Sequence, residues 1–471
     1  MFEQIDKIIT MIDEAVWGLP LICLIMMTGI FLTARLGLLQ IRHLGKAFKF
    51  MVKNEDEGEG EVTSFGALCT ALSATIGTGN IAGVATAIAA GGPGALFWMV
   101  LAAFFGMATK YAEGLLAIKY RTVDKDGHVL GGPFYYIENG MGKNWRWLAK
   151  LFAFFGACVG LFGIGTFTQV NSIASAVKDF FDPETSHVLF TAFGRDYSVA
   201  TVATGILLTL CVGLVVIGGI KRIAKVSEVV VPFMAILYVA LGLIIIFTNL
   251  SAVPGALVSI VKSAFTGSAL AGGVMGSMVV AMQKGVARGI FSNESGLGSA
   301  PIAAAAAVTK EPARQGLVSM TGTFIDTIVI CTMTGLSIVI AGTWLDPGLE
   351  GVEITMAAFQ KALPFPAIVA SFSLMLCLVF FAFTTILGWN YYGERCVEYL
   401  FNRNKSVVKG YRWLYILAVF IGPYMTVAVV WNIADIFNAL MAFPNLIALL
   451  ALSGVVVKES RDYFARLKQV K

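Results

Sequence analysis

A long apolar run interrupted by glycine constrains the fold of this chain more than any other feature. Residues 65–90 form a run long enough to cross a bilayer, which takes about 20 apolar residues, and its middle reads SATIGTGNIAG at residues 73–83. Gly77, Gly79 and Gly83 favour a break in the helix there. Because lipid offers no partner to free backbone groups, a break at this depth is tolerated only where it is buried in protein or lines a cavity. The run therefore predicts a solute or ion site inside a membrane protein.

Composition supports a membrane protein and argues against several other classes. Of the 471 residues, 57% are hydrophobic and 13% are charged, whereas soluble domains carry about 25% charged residues. The net charge of +5 is small and comes from the loops, so it does not indicate a nucleic-acid partner. The seven cysteines are scattered singly and form no CxxC motif, which argues against a disulfide framework or a zinc site. We predict an all-α, polytopic membrane protein.

The apolar stretches predict eleven membrane spans. They cover roughly residues 15–37, 64–90, 93–119, 147–177, 197–218, 226–248, 267–292, 314–342, 365–394, 411–431 and 433–457. Basic residues concentrate on the cytoplasmic side of membrane proteins. With the N-terminus outside, 28 of the 34 lysine and arginine residues fall in the inward loops and the C-terminal tail. The sequence therefore predicts an outside N-terminus and a cytoplasmic C-terminus.

A second glycine-rich span lies five spans after the first. The seventh span begins TGSALAGGVMG, with glycines at positions 267, 272, 273 and 276. Glycines in membrane helices also serve close packing, but paired glycine-interrupted spans at matching places in two halves indicate an inverted repeat with a binding site at the bilayer midplane. We expect four parts: an N-terminal helix and linker (1–62), a first five-span repeat (63–250), a second five-span repeat (251–460) and a tail (461–471).

Two broken spans can hold a zwitterion without a buried charged side chain. A broken helix exposes N–H groups, which suit a carboxylate, and C=O groups, which suit a sodium ion or an ammonium group. In the ninth span, Thr384 and Thr385 add hydroxyls to a hard-oxygen shell for a small cation; the alternative is that both bond back to the previous turn of their helix. Trp389 either forms a wall of the pocket or belongs to an interfacial aromatic belt. Gln169, in the fourth span, either donates to a carboxylate or joins two helices.

Three acidic residues inside or beside spans remain open to more than one interpretation. Asp326 lies deep in the eighth span and is a functional hypothesis by default: it can coordinate a cation, carry a proton or pair with a neighbour. Lys110 and Glu113 are three residues apart near the inner end of the third span, and we expect them to pair and to extend towards the interface. The small, apolar segment 288–307, with Glu294, is a candidate part of an inner gate.

Several motifs, in order, resemble one known family. SATIGTGNIAGVATAI, GGPGALFWM, GMATKYAEGLLA, GVARGIFSNESGLGSAP and FAFTTILGWNYYGE resemble the alanine or glycine:cation symporter family of prokaryotes, and the likeness covers essentially the whole chain. The resemblance implies a leucine-transporter-like fold, with ten core helices in two inverted repeats and a discontinuous first helix in each. It also implies sodium-coupled uptake of small neutral amino acids across a prokaryotic plasma membrane, chiefly of alanine and glycine, with some members specialised for glutamine.

The same resemblance implies the residues of the site, because the glycine–any–glycine–asparagine signature of the fold falls on residues 77–80. The sodium ion is expected to bind the carbonyls of Ser73, Ile76 and Phe381 and the hydroxyls of Thr384 and Thr385. The substrate is expected to contact Thr78, Gly79, Asn80, Gln169, Gly273, Val274, Gly276, Met278 and Trp389. The family often has an aromatic residue in place of Val274, so this pocket is expected to be somewhat roomier.

We therefore predict a secondary transporter, not an enzyme, that binds a sodium ion and a small amino acid together within the lipid bilayer. A channel would need a continuous polar lining or a ring-forming motif, and the sequence has neither. An enzyme would need a cluster of acids, bases or metal ligands, whereas Asp326 and Glu113 are isolated in the sequence. Two alternatives within the transporter class remain: a sodium-coupled glutamine transporter, and a proton-coupled amino acid carrier that uses Asp326.

Overall fold

The computed structural model describes residues 9, 11–12, 16–53, 58–124, 127–192, 195–266, 274–425 and 427–469. Residues 192, 195, 274–277 and 427–434 are described by their backbone alone. These segments fold into helices joined by short connections. The α-helices are α1 (Leu19–Arg35), α2 (Leu39–Arg42), α3 (Leu44–Val52), α4 (Ser64–Thr75), α5 (Val84–Gly91), α6 (Gly94–Lys119), α7 (Pro133–Tyr136), α8 (Arg146–Phe162), α9 (Phe167–Phe181), α10 (Val199–Val216), α11 (Gly219–Thr248), α12 (Val253–Phe265), α13 (Val274–Asn293), α14 (Ala300–Ala304), α15 (Pro312–Thr323), α16 (Thr332–Ala341), α17 (Val352–Ala362), α18 (Ala367–Leu400), α19 (Lys405–Ile421), α20 (Val427–Ala451) and α21 (Ser453–Gln469).

Shorter elements connect or interrupt these helices. Two antiparallel hairpins lie in predicted loops: β1 (Thr122–Val123) pairs with β2 (Val129–Leu130), and β3 (Val188–Ala192) pairs with β4 (Arg195–Ser198). The remaining turns are π-helical at Gly79–Gly83, Ile137–Met141 and Phe324–Cys331, and 3₁₀-helical at Lys143–Trp145, Thr343–Leu345 and Gly422–Tyr424. The all-α class is therefore confirmed, with strands confined to the connections.

The lengths of the helices agree with a multi-pass membrane protein. Within the described ranges, six helical stretches are long and apolar enough to cross a bilayer, or up to eight if each of two bent pairs counts as one span. The helices α1 and α12 are also apolar but have only 17 and 13 residues. The eleven spans, the repeat layout and the domain boundaries therefore stay predictions.

The glycine-rich run forms a broken helix where its sequence predicts one. Thr63 begins α4 by accepting a hydrogen bond from the backbone N–H of Gly66 at 2.8 Å. The helix ends after Thr75, Ile76 takes an extended conformation (φ −76°, ψ 95°), and the π-helical turn leads into α5. The two arms are bent by 55°. The bend places non-helical backbone among buried residues, as a break at membrane depth requires.

The structure refines two predicted spans. The predicted fourth span over 147–177 falls within one helical stretch, Lys143–Phe181, that is long and apolar enough to cross a bilayer. Within this stretch the structure adds a short interruption, because α8 ends at Phe162 and α9 begins at Phe167, with Gly163 in a non-helical conformation between them (φ −103°, ψ −145°). In the seventh span, α12 precedes the predicted start and α13 begins at Val274. The glycines at 267, 272 and 273 lie outside the described residues, and so does the break predicted there.

Packing brings the broken helix to the centre of the bundle. The arm α4 packs against α11 and α18, while α13 packs against α5 and the π-helical turn that precedes it. On a further side, that turn contacts the π-helical stretch Phe324–Cys331. Residues of α4, α13 and α18 that lie far apart in sequence therefore meet at the break.

Candidate functional site

The break frees two backbone carbonyls on α4. In a continuous helix the N–H of Gly77 would donate to the carbonyl of Ser73, and the N–H of Asn80 to that of Ile76. Instead, Gly77 N–H donates to Asn80 Oδ1 at 2.8 Å, and Asn80 N–H donates to the carbonyl of Gly77 at 3.2 Å. The carbonyls of Ser73 and Ile76 are thus available to another partner, which is the arrangement that the sequence predicts for a cation site.

The threonine pair of α18 meets one of these carbonyls. Thr385 Oγ1 lies 3.3 Å from the Ile76 carbonyl oxygen and 3.0 Å from that of Phe381, and Thr384 Oγ1 lies 3.0 Å from the Phe381 oxygen. Only glycine at position 77 permits this approach, because a Cβ there would lie 2.6 Å from Thr385 Oγ1. The structure therefore brings Ile76, Phe381, Thr384 and Thr385 together.

Ser73 joins the same group through close helix packing. It is fully buried, and a Cβ added at Gly388 of α18 would lie 2.8 Å from Ser73 Oγ. The Ser73 hydroxyl itself donates to the carbonyl of Thr70 at 2.7 Å. Its expected contribution to a cation site is therefore its backbone carbonyl, not its hydroxyl.

The chemistry of this set fits a small, hard cation. All five residues offer oxygen ligands, and no cluster of three or more His, Cys, Asp or Glu residues suited to a metal occurs among the described residues. Neutral carbonyl and hydroxyl oxygens favour a hard ion over a transition metal. Both threonine hydroxyls donate back to Phe381, as the alternative interpretation expects, yet their lone pairs remain able to face a cation.

Gln169 links α9 to the broken helix. Its Oε1 accepts the backbone N–H of Thr78 at 3.3 Å, and its Nε2 donates to Thr78 Oγ1 at 3.2 Å and to the carbonyl of Ile164 at 3.1 Å. Thr78 and Gln169 are both buried. Two of the residues predicted for the substrate therefore lie in direct contact, at the first N–H groups that follow the break.

Of the other residues predicted to contact the substrate, Gly79 lies in the π-helical turn and Met278 lies on α13. A Cβ added at Gly79 would lie 3.3 Å from the Phe291 ring and 3.4 Å from Ser292, so α13 runs close to the backbone there. Met278, on α13, is half-buried. Val274 and Gly276 lie in the first turn of α13, where only the backbone is described, and Gly273 lies outside the described residues.

Trp389 is a core residue. It is fully buried, so the interpretation as part of an interfacial belt is wrong. Its indole N–H donates to Glu294 Oε1 at 3.0 Å. The segment that carries Glu294 is buried from residue 291 to residue 307, so it folds back into the protein instead of forming an exposed loop.

Asp326 supports the break through Asn80, a contact that the sequence gives no local signal for. Its Oδ1 accepts from Asn80 Nδ2 at 2.8 Å, and its Oδ2 accepts from the hydroxyls of Ser292 at 2.9 Å and Thr327 at 2.7 Å. Asn80 in turn accepts the N–H of Gly77. One buried acid thus joins the broken helix, α13 and the π-helical stretch.

Lys110 and Glu113 do not form the predicted interfacial pair, because both are buried and Lys110 Nζ has no hydrogen-bond partner among the described residues. Glu113 instead accepts from Asn445 Nδ2 at 2.7 Å and from the N–H of Gly296 at 3.1 Å. Lys110 lines a cavity of about 20 Å³ with Gln315, which has room for roughly one water molecule. The three-residue spacing places the two side chains on one helix face, but that face is turned into the bundle.

A group of charged residues, here called the charged cluster, lies at the end of the bundle predicted to face inward: Glu61, His128, Arg395 and Glu398. His128 Nδ1 lies 3.2 Å from Glu61 Oε1, and His128 Nε2 lies 2.9 Å from Glu398 Oε1. Hydrogen bonds to Glu398 and Glu61 raise the pKa of His128 to about 9. Burial raises the pKa of Glu61, but the hydrogen bond to His128 and the charge of Arg395 outweigh it and leave that pKa lowered. The cluster joins the linker before α4 to the β1–β2 hairpin and to α18.

Comparisons with known proteins identify the family of this chain. The model of the Sodium:alanine symporter family matches residues 2–471. The chain is 48% identical to the sodium/alanine symporter AgcS of Methanococcus maripaludis, over 97% of both chains. It is 37% identical to the probable sodium/glutamine symporter GlnT of Bacillus subtilis, over 99% of this chain and 92% of that one.

A solved structure supports the fold. The crystal structure of MhsT in complex with L-phenylalanine matches with a TM-score of 0.54 and 13% sequence identity, over 85% of this chain and 99% of that chain. This likeness confirms a leucine-transporter-like fold. Together with the matched family and its relatives, it shows that the chain is a multi-pass membrane transporter of the sodium:alanine symporter family.

Proposed function

We propose that this protein is a sodium-coupled symporter that imports small neutral amino acids, alanine and glycine foremost. The observation that carries the proposal is the meeting of the Ile76 carbonyl, freed by the break, with the Thr385 hydroxyl and the Phe381 carbonyl. This is a neutral, all-oxygen site at a discontinuous helix, and relatives named as sodium symporters cover nearly the whole chain.

The sodium ion binds where α4 ends and α18 passes. Its ligands are the carbonyls of Ser73, Ile76 and Phe381 and the hydroxyls of Thr384 and Thr385. The ion supplies a positive charge that stabilises the carbonyl end of the broken helix. Binding of sodium therefore holds α4 and α18 in the geometry that the substrate requires.

The amino acid binds on the other side of the break. The N–H groups that begin the second arm, at Thr78 and Gly79, carry partial positive charge and suit the substrate carboxylate. Gln169 contacts Thr78 and orients that segment. Asn80 holds the same segment by accepting the N–H of Gly77 through its Oδ1. Gly273, Val274, Gly276 and Met278 of the seventh span and Trp389 complete the pocket around the ammonium group and the side chain.

Coupling follows from the shared backbone. One short segment supplies carbonyls to the ion and amides to the substrate, so each ligand orders the segment that the other one needs. Linkage then requires that sodium raise the affinity for the amino acid and that the amino acid raise the affinity for sodium by the same factor. Transport proceeds by alternating access, with the N-terminus outside and the C-terminus in the cytoplasm.

Uptake into proteoliposomes tests the proposal. The purified protein is supplied with labelled alanine, glycine or glutamine under an inward sodium gradient, a potassium gradient or a proton gradient alone. The proposal expects concentrative uptake with sodium only, with alanine and glycine ahead of glutamine. Preference for glutamine would favour the sodium-coupled glutamine alternative, and the absence of sodium-driven uptake would refute the proposal.

A proton-coupled carrier that uses Asp326 is the second candidate, because an ionisable residue this deep in a membrane protein is often functional. Against it, three donors already satisfy the carboxylate: Asn80, Ser292 and Thr327. A variant Asp326→Asn that keeps sodium-driven uptake would exclude the proton role. Uptake driven by protons alone in the wild type, and lost in this variant, would establish it.

A further inference from the structure

We propose that Glu294 is a positioning residue that orients Trp389 and thereby sets how large a substrate side chain the pocket accepts. The inference rests on the proposed function, which places Trp389 against the substrate. Glu294 lies in the buried segment between α13 and α14, 95 residues before Trp389 in the sequence. It is one of the buried acids that the sodium site does not use.

The carboxylate of Glu294 matches two donors. Its Oε1 accepts the indole N–H of Trp389 at 3.0 Å, and its Oε2 accepts the hydroxyl of Ser299. Glu294 and Trp389 are both fully buried. Since an indole N–H can only donate, a buried Trp389 without this acceptor would leave its one polar group unpaired.

The backbone at Glu294 indicates that its side chain is specifically required. Glu294 has a φ of +57°, in the left-handed region that residues other than glycine seldom adopt. Gly296 and Gly298 nearby also have positive φ, at +91° and +84°. A third glycine at 294 would relieve the strain but would remove the acceptor for Trp389. Strain held at a buried position points to a functional constraint.

The opposite end of the Trp389 side chain is held by the connection between α8 and α9. A Cβ added at Gly165 would lie only 2.3 Å from the Cβ of Trp389, so the tryptophan packs directly on the backbone between α8 and α9. Tyr415 secures that backbone by donating to the carbonyl of Gly165 at 2.8 Å. The Cβ end of Trp389 is therefore fixed independently of Glu294, and loss of Glu294 frees the ring end alone.

Position and charge can be separated at this residue. In Glu294→Gln, the amide oxygen still accepts the indole N–H, and the amide nitrogen donates to the hydroxyl of Ser299, which can also accept. In Glu294→Ala, both hydrogen bonds are lost. A positioning role therefore predicts that glutamine substitutes for glutamate and that alanine does not.

The first test reads the contact itself. Spectra of the detergent-solubilised protein, with ¹⁵N-labelled tryptophan, contain the indole signals of eight tryptophans, and the signal of Trp389 is the one missing in Trp389→Phe. We expect this signal to move in Glu294→Ala and to move much less in Glu294→Gln. Ser299→Ala, which removes only the second bond, is the matched control and should move it less than Glu294→Ala. An unmoved Trp389 signal in Glu294→Ala would overturn the inference.

The second test measures substrate specificity in proteoliposomes, as the apparent KM for glutamine divided by the apparent KM for alanine. Glu294→Ala and Trp389→Phe should each lower this ratio by about tenfold, the effect of one charge-assisted hydrogen bond. The double variant should show no further change, because both substitutions break one interaction. Additive effects in the double variant, or a Glu294→Gln variant with the same ratio as Glu294→Ala, would overturn the positioning role.

Failure of the proposed function and failure of the inference about Glu294 give different experimental results. If the wild type takes up neither amino acid with sodium, the proposed function fails and the specificity role fails with it. If wild-type uptake is normal but the ratio is unchanged in Glu294→Ala, only the inference about Glu294 is overturned.

Discussion

The break in the middle of the bundle and the charged cluster at its end differ in the chemistry of their polar groups. At the break, the polar groups are backbone amides and carbonyls, hydroxyls and one satisfied acid, all buried. In the charged cluster, formal charges pair around His128, whose side chain is 30% exposed. The cost of burying an unpaired charge explains the division. A site for a cation and a zwitterion can be built from neutral groups in the core, whereas the ion pairs of the charged cluster form around a histidine that water reaches.

The two regions should also differ in what a substitution changes: ligand affinity at the break, and the packing of segments at the charged cluster. Under the proposed function, neutral groups at the break bind the ligands through their number and direction, so small displacements of Gly77 or Thr385 should change the affinity. Charged groups in the cluster connect the linker before α4 to α18, so they contribute to how stably these segments pack together. Substitutions at the break should therefore change ligand affinity, whereas substitutions in the charged cluster should change stability and its dependence on pH.

The largest effect is expected for Thr385→Ala. It removes a hydroxyl that contacts both the Ile76 and Phe381 carbonyls, so the sodium concentration for half-maximal uptake should rise by at least about 10- to 100-fold, the loss that follows when a residue supporting a metal ligand is replaced. Thr384→Ala should have a smaller effect, because the Thr384 hydroxyl contacts only the Phe381 carbonyl among these oxygens. Sodium titrations of alanine uptake measure both. Unchanged sodium dependence in both variants would remove these residues from the site.

The next effect is expected for Asn80→Ala. Asn80 caps the N–H of Gly77 and donates to Asp326, and loss of a buried partner costs about 1–3 kcal/mol for each group left unpaired. The melting temperature in detergent should fall, and the affinities for sodium and alanine should fall together. A variant of normal stability that loses affinity for one ligand alone would contradict the shared-segment explanation of coupling.

The charged cluster should give a pH-dependent effect on stability. The pKa of His128 is raised from 6.5 to about 9, so its stabilising contribution is complete below about pH 6.5 and is lost as the pH rises through about 9. The melting temperature of the wild type should therefore decrease across this window, and the decrease should be smaller in His128→Gln.

His187→Gln is the matched control for this prediction. The His187 side chain is 79% exposed, so its substitution should leave the pH profile unchanged. Equal slopes for the wild type and His128→Gln would show that the cluster does not stabilise the protein. Sodium affinity at constant pH should not change in either histidine variant, in contrast to the threonine variants.

The smallest effect is expected for Ser73→Ala. The hydroxyl of Ser73 bonds to the carbonyl of Thr70, and only the backbone carbonyl of Ser73 is expected to bind the ion. Sodium titrations should therefore resemble those of the wild type within about threefold, the size of one ordinary hydrogen bond. A loss as large as that of Thr385→Ala would mean that the Ser73 hydroxyl is itself a ligand.

The features predicted well from the sequence are those with a local signal. The break at Gly77 and Gly79 follows from glycines in an apolar run, and the approach of Thr385 follows from the family motif that carries it. The short interruption between α8 and α9 has a local signal as well, in Gly163 and Gly165, which lie inside the apolar residues of the predicted fourth span.

Long-range contacts could not be predicted in the same way. Asn80 and Asp326 are 246 residues apart, and no pattern in either segment indicates that they meet. The same holds for Glu294 and Trp389. The spacing of Lys110 and Glu113 predicts a pair, and their place near the inner end of a span predicts the interface, whereas their burial depends on how α6 packs against α13 and α15. Periodicity gives the face of a helix, but tertiary packing decides what that face meets.

Calorimetric titration of alanine into the purified protein at a series of sodium concentrations tests the central claim most directly. If one broken segment serves both ligands, the affinity for alanine should rise with sodium, and a reciprocal titration should show that alanine raises the affinity for sodium by the same factor. Potassium should not replace sodium. An alanine affinity that is independent of sodium would contradict the account.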